Sequence, residues 1–204
     1  MLAVFNKSVA KSPEGLQSPQ SNSVSSLKDD FLSLHFASLH PSSVNLNLAS
    51  SAFLAYSLHK NNPLLQEMSN INIEILIDFP LRLFAVVDDI FCLFQGHVDN
   101  VANLKQQYGL NKSANEVTIV IEAYRTLRDR RSSQTVFVAS DADGSVPFFW
   151  GIDADENLVL SDEIDIVRKS CGKSYAPFPK GCFFTTSAIG MPRVGSAANW
   201  SSNY

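Results

Sequence analysis

The sequence lacks the features that place a chain in several specialised classes of protein. It has no apolar run close to the roughly 20 residues that a membrane-spanning helix needs. Its amino-terminal stretch shows no basic segment followed by a long apolar core. The 16 basic residues form no long run, and the net charge is −4. We therefore expect no transmembrane segment, no signal peptide and no nucleic-acid partner.

Cysteine is also scarce. The three cysteines are Cys92, Cys171 and Cys182, and their wide spacing excludes CxxC metal and redox motifs. Their odd number argues against a disulfide framework. This usage predicts a reducing compartment, the cytoplasm, with the nucleus as a further location. For each thiol we favour a small buried side chain over a reactive group.

The chain does have enough apolar residues for a core, with 204 residues of which 45% are hydrophobic. Residues 135–167 show three apolar runs separated by turns, which predict a β-meander. Ser161 is the expected N-cap of a helix that follows. Further strands are predicted at residues 1–5, 44–48, 52–58, 81–87, 90–94 and 181–186. With helices expected at 31–39, 98–107 and 117–127, the pattern indicates an α+β fold.

The third of these helices carries the clearest local signal. Ser113 and Glu116 have the spacing of a capping box. Five apolar residues then fall on one face, at Val117, Val120, Ile121, Tyr124 and Leu127. Basic residues cluster near its end, at Arg125, Arg128, Arg130 and Arg131. We favour a solvated helix end over an anion-binding site.

The candidate metal ligands are few. The pair Asp141 and Asp143 lacks the further ligands of a calcium loop, so turn chemistry is favoured. The same holds for the segment 153–157, because Leu158 stands where a calcium loop needs glycine. His97 has no ligand partners at suitable spacing and is interpreted as structural. We predict no metal site and no cofactor.

Several long motifs carry a resemblance to a known family. They are CLFQGHVDN at 92–100, YGL at 108–110, LRDR at 127–130, VASDADGSVPFFWG at 138–151 and YAPFPKGCFF at 175–184. They resemble the plant aluminium-induced, or stem-specific, protein family, which is named for its YGL and LRDR motifs. That family is similar to class-II glutamine amidotransferase domains. The resemblance implies an N-terminal-nucleophile hydrolase fold, a four-layer αββα sandwich.

The resemblance also implies where catalytic groups would stand. Working class-II amidotransferases carry a nucleophilic cysteine directly after the initiator methionine, whereas this chain has Leu2. Their oxyanion hole uses an Asn-Gly pair, and Gln95-Gly96 occupies that place. The aspartate that holds the substrate amine is replaced by Ala114. We therefore expect no catalytic residue and no enzyme activity, only vestigial positions.

The chain departs from its family in three places. Arg130 is followed almost at once by Thr135, which predicts the loss of a central strand. Residues 69–80 look like an insertion. The tail 187–204 is expected to be disordered and unrelated to the family's C-terminal strands. The predicted domain is therefore residues 1–186, an incomplete sandwich that lacks central and C-terminal strands and is less stable than a full-length relative.

The function that this resemblance implies is non-catalytic. We expect an amidotransferase-like protein of plant stress or hormone response that acts by binding or by self-association, with a second copy of the chain as partner. One alternative is a residual glutamine amidotransferase or amidase that uses another nucleophile. Another is a small-molecule sensor that keeps the glutamine pocket.

Overall fold

The chain divides into two compact units. The first comprises Met1–Ser57 and Arg131–Tyr204, and the second comprises Leu58–Arg130. The computed structural model describes residues 1–11, 13, 16, 30–48, 51–57, 84–127, 135–186 and 192–196. The insertion at 69–80 and Arg128, Arg130 and Arg131 lie outside these residues. The single domain expected for residues 1–186 stays a prediction.

The first unit holds most of the regular structure. Its helices are α1 (Asp30–Leu39) and α4 (Ile164–Cys171). Its strands are β1 (Leu2–Phe5), β2 (Ser43–Leu48), β3 (Ala52–Ser57), β6 (Phe137–Ala139), β7 (Phe149–Ile152), β8 (Leu158–Ser161), β9 (Tyr175–Pro177), β10 (Cys182–Thr186) and β11 (Pro192–Ser196). The predicted strands at 1–5, 44–48, 52–58 and 181–186 and the helix at 31–39 are confirmed.

Six of these strands form one antiparallel sheet, in the order β2-β3-β1-β8-β7-β9. Strand β1 lies inside it, between β3 and β8. Because side chains alternate across a strand, β1 sends Leu2 and Val4 to one face and Ala3 and Phe5 to the other. The very start of the chain is therefore part of the core.

The two faces of this sheet bury different layers. One face packs against α1 and α4 through a cluster that includes Leu2, Phe36 and Ile166. The other packs against the three-stranded sheet β11-β10-β6. Trp150 and Phe184 meet in that second core with ring centroids 5.9 Å apart. The first unit thus shows three layers, one helical and two β, and the α+β class is confirmed.

The predicted β-meander is wrong at its first strand. Strands β7 and β8 pair as expected, but β6 pairs with β10 in the other sheet. Between β6 and β7 the chain turns at Asp141, whose carboxylate accepts the Ser145 N–H at 2.9 Å. It then crosses to the six-stranded sheet. The crossing places Phe148 and Trp150 between the sheets, whereas Phe149 packs on the helix-facing side, so the aromatic block is covered on both faces.

The expected disorder of the tail is also corrected. Residues 192–196 form β11, which pairs with β10 along its whole length. Arg193 and Val194 lie opposite Thr185 and Phe184. Pairing with all five residues of β10 gives this segment backbone partners despite its small, polar composition. A C-terminal strand is therefore present, and the rest of 187–204 lies outside the described residues.

The second unit contains a β-hairpin and two helices. Strands β4 (Phe84–Val87) and β5 (Ile90–Leu93) pair across the turn at Asp88, whose φ is 54°. Helix α2 (Val101–Gln107) precedes α3 (Glu116–Leu127). Gly109 follows the C-cap Tyr108 of α2 with φ 64°, the C′ conformation that favours glycine.

Both predicted helix caps are wrong. Helix α3 is capped by Asn115, whose Oδ1 accepts the Thr118 N–H at 2.9 Å, so Ser113 and Glu116 form no capping box. Helix α4 begins at Ile164 with Glu163 as N-cap, and Ser161 ends strand β8 instead. In each case a residue nearer the helix occupies the N-cap position, and only Asn115 uses its side chain to cap, since Glu163 pairs with His40 instead.

Candidate functional site

Leu2 occupies the place that the resemblance assigns to a nucleophile. It begins β1, opposite Ala55 on one side and Ser161 on the other. Its side chain is 0% exposed and packs in the helix-facing core with Phe36 and Ile166. An isobutyl group in this position has no lone pair to attack an amide and no contact with solvent. It acts as a core residue.

The amino group beside Leu2 is engaged as well. The Met1 ammonium lies 2.5 Å from Asp162 Oδ1, and the Asp162 side chain is only 3% exposed. Ser161 Oγ donates to the Met1 carbonyl oxygen at 2.8 Å. An ammonium group has donors and no lone pair, so it cannot take a proton from a neighbouring nucleophile. The pair stabilises the strand and supplies no base.

A second polar pair stands beside the first. His40 Nε2 and Glu163 Oε1 are 2.6 Å apart, and their side chains are 16% and 23% exposed. The Glu163 N–H also donates to Ser161 Oγ at 3.1 Å. His40 follows α1 and Glu163 stands at the N-cap position of α4, so the pair joins the end of one helix to the start of the other. Sequence patterns do not identify these residues, because partners more than 120 positions apart have no regular spacing.

Gln95 and Gly96 follow β5 in the second unit. Gly96 has φ 132°, a conformation that favours glycine. The next residue, His97, places Nδ1 2.8 Å from Glu116 Oε1, and the Val98 N–H donates to the same oxygen at 3.2 Å. Glu116 therefore fastens the Gln95-Gly96 loop to the start of α3. This supports the structural interpretation of His97.

Ala114 lies two residues before Glu116 in the sequence. It is half-buried, and its N–H donates to the Asn111 carbonyl oxygen at 3.0 Å. A methyl group there offers nothing to a substrate ammonium. The second unit thus brings together the Gln95-Gly96 loop and the helix start that follows Ala114, whereas Leu2 belongs to the first unit.

Two of the three thiols are disfavoured as nucleophiles. Burial raises the pKa of Cys171 to about 12 and that of Cys92 to about 11. A nucleophilic cysteine needs a lowered pKa and access to solvent, and neither thiol meets the first requirement. Cys182 packs against the aromatic core between the two sheets.

The acidic segments use their carboxylates in turns, as predicted. Hydrogen bonds from Ser145 hold the pKa of Asp141 below its usual value. Asp153 accepts the Asp155 and Asn157 N–H groups at 2.9 and 2.8 Å. Its partial burial, the largest cause, raises its pKa. In the described ranges no group of three or more His, Cys, Asp or Glu side chains is placed to hold a metal ion.

Among the helices of the described residues, none is both long and apolar enough to cross a membrane.

Comparison with known proteins identifies the family. A family model described as "Aluminium induced protein" matches residues 2–133 and 131–195. The stem-specific protein TSJT1 of Nicotiana tabacum is 31% identical over 150 residues, which cover 72% of this chain and 91% of that protein. The match through residue 195 corrects the expectation that the whole tail is unrelated. The two matched segments meet at 131–133, where the sequence predicts a lost strand. The chain belongs to the aluminium-induced protein family.

Proposed function

We propose that this chain is a non-catalytic, amidotransferase-like protein of plant stress or hormone response. It acts through binding or self-association and not through glutamine hydrolysis. One observation carries the proposal: Leu2, at the start of an internal core strand, has no reactive atom and is fully buried. The family description and the name of the tobacco relative support the plant setting.

The other groups that amide hydrolysis needs are also missing or replaced. Hydrolysis through an acyl intermediate requires a nucleophile, a base and a donor for the oxyanion. The Met1 ammonium donates to Asp162. Gln95 has a longer side chain than the asparagine it replaces, and Ala114 cannot pair with a substrate amine. Loss of several roles together is what we expect of a scaffold kept for binding.

The fold proposal rests on the layers of the first unit. A helical layer, the six-stranded sheet and the three-stranded sheet are stacked in that order. An αββα sandwich has one more helical layer, on the outer side of the second sheet. We propose an N-terminal-nucleophile hydrolase-like sandwich, shortened at the junction near residue 131. The protein acts in the cytoplasm and also in the nucleus under this proposal.

Ammonia release from glutamine tests the proposal directly. The unmodified protein is expected to release none above a protein-free blank and to form no adduct with an electrophilic glutamine analogue. A Leu2→Cys variant, processed to remove Met1 and checked by mass spectrometry, supplies the missing thiol. Leu2→Ala, processed in the same way, is the matched control without a thiol. Turnover or an adduct with the unmodified protein would overturn the proposal.

The sensor alternative has one observation in its favour. Gly96 keeps a positive φ, and Glu116 holds the following residues in place, so the loop conformation persists without the catalytic groups. Isothermal titration with glutamine tests it. Saturable heat that is lost in Gly96→Val would support the sensor, and the absence of heat would exclude glutamine as its ligand.

A further inference from the structure

Strand β2 forms an outer edge of the six-stranded sheet. Its neighbour in the described part of the chain is β3, to which it pairs over all six residues. No other described strand pairs with the opposite side of β2, which presents backbone N–H and C=O groups in an extended row. Natural proteins protect such edges with charged side chains, proline or bulges, because an open edge pairs readily with another strand. The residues of β2, SVNLNL, contain none of these protecting features.

The segment that forms this edge has no carboxylate, lysine or arginine side chain of its own. From Phe31 to His59 the sequence has no Asp, Glu, Lys or Arg, although charged residues make up 18% of the chain. This segment includes β2, β3 and all of α1 except its first residue, Asp30. The charged groups that approach it come from α4 and its N-cap, where Lys169 lies 3.2 Å from His35 and Glu163 lies 2.6 Å from His40. Two copies of the segment can approach each other without like-charge repulsion, even though the whole chain carries a net charge of −4.

The strand is complementary to itself. Asn45 and Asn47 are exposed on the helix-covered face of the sheet, and Val44, Leu46 and Leu48 lie on the opposite face. A two-fold axis perpendicular to the sheet pairs β2 with its copy in antiparallel register and keeps each face on its own side. Asparagine then meets asparagine, and apolar side chains meet apolar side chains.

The helix above this edge adds apolar surface. Helix α1 contacts both α4 and β2, so it covers the β2 side of the helical layer. It exposes Phe31, Leu34 and Leu39 at 36%, 67% and 47%. A helix that is apolar around most of its circumference is typical of one that is covered. A strand pair alone buries less than the roughly 1,200 Å² of a stable interface, and α1 can contribute the remainder.

We propose that the β2 edge is the interface of a homodimer, in which the six-stranded sheets of two copies join as one. The occupant of the edge is a second copy of this chain. This proposal rests on the self-association named in the proposed function and specifies its surface. The surface lies away from Leu2, so ammonia release would leave this proposal untouched, and a monomeric wild type would leave the absence of glutamine hydrolysis untouched.

Sedimentation velocity over a dilution series tests the interface. The unmodified protein is expected to be dimeric at high concentration and to dissociate on dilution. Asn45→Lys with Asn47→Lys places like charges opposite each other across the two-fold axis, and dimerisation should weaken by about tenfold or more. Gln106→Lys with Gln107→Lys, at exposed residues of α2, adds the same charge elsewhere and should leave dimerisation unchanged.

A charge swap makes the test specific for two copies. Asn45→Asp with Asn47→Asp should also be monomeric alone, whereas a mixture of the Lys and Asp variants should form heterodimers. Circular dichroism of each variant checks that it is folded. A monomeric wild type, or a dimer that the Lys variant does not weaken, would overturn the proposal. Rescue in the mixture would support it even if each variant were somewhat destabilised.

Discussion

The two units of this chain differ in how they are packed. In the first, two clusters of buried side chains fill the spaces on both faces of the six-stranded sheet. In the described part of the second, the buried residues are Val117, Ile119 and Ile121 on α3, and α2 has none. Val86 and Phe91, paired across the hairpin, are each 46% exposed. The first unit is a packed core, whereas the second depends more on polar contacts such as those of Glu116.

A matched pair of phenylalanine deletions should give the largest contrast. Phe184→Ala removes a ring that is 0% exposed and contacts Trp150, so the free energy of unfolding should fall by about 3–5 kcal/mol. Phe91→Ala removes a ring already half in water and should cost about 1 kcal/mol. Urea denaturation followed by circular dichroism measures both. Equal losses would mean that the units are packed alike.

Alanine substitutions at two glycines test the same difference in packing between the units, with a smaller expected loss of stability. A Cβ at Gly151 would lie 2.7 Å from Cys171 Sγ and 2.8 Å from the Ser174 carbonyl oxygen, so Gly151→Ala should cost about 2 kcal/mol through overpacking. Gly109 has open space around it, and its φ of 64° alone should make Gly109→Ala cost about 1 kcal/mol.

A second substitution separates the two causes. Cys171→Ala removes the sulfur that the new methyl group would strike and should recover part of the loss in Gly151→Ala. It should recover none of the loss in Gly109→Ala. Denaturation midpoints of the two double variants decide this, and equal recovery would exclude the steric explanation.

The sequence predicted local elements better than their partners. Alternation and apolar runs identified β1, β2, β3 and β10, because one buried face per strand leaves a visible period. These patterns did not show that β6 pairs with β10 and not with β7, because this pairing joins residues more than forty positions apart. At the site, the sequence identified Leu2 as inert. It did not reveal the Asp162 and His40 pairs, whose partners are set by the folded sheet.

Thiol labelling compares the units without a mutation. Burial raises the pKa of Cys171 to about 12 and that of Cys92 to about 11. Both folded-state thiolates are therefore scarce at pH 8, so labelling depends on local opening. The thinner packing of the second unit should make Cys92 the faster of these two thiols to be labelled, since local opening exposes it more often. Mass spectrometry after timed alkylation measures both rates, with urea-unfolded protein as the control. Faster labelling of Cys171 would contradict the packing contrast.

The smallest effect concerns two carboxylates of the first unit. Burial raises the folded-state pKa of Asp153 from 3.8, so the folded protein holds the proton of this carboxyl group more tightly than the unfolded chain does. The stability gained from this protonation is lost as the pH rises above 3.8. Hydrogen bonds from Ser145 lower the pKa of Asp141 from 3.8, so its contribution is present above 3.8 and is lost as pH falls below it. Solvent screening keeps the Asp141 effect small, because that side chain is exposed.

Denaturation midpoints measured at several pH values between about 3 and 7 separate the two groups. Asp153→Asn should flatten the decline in stability above pH 3.8, relative to the unmodified protein, because no charge then forms in the partly buried turn. Asp141→Asn should reduce the loss of stability only in the range where the pH falls below 3.8. If Asp153→Asn instead lowered stability equally at every pH, its turn hydrogen bonds to Asp155 and Asn157 would outweigh its burial, and the packing of the first unit would not govern that carboxylate.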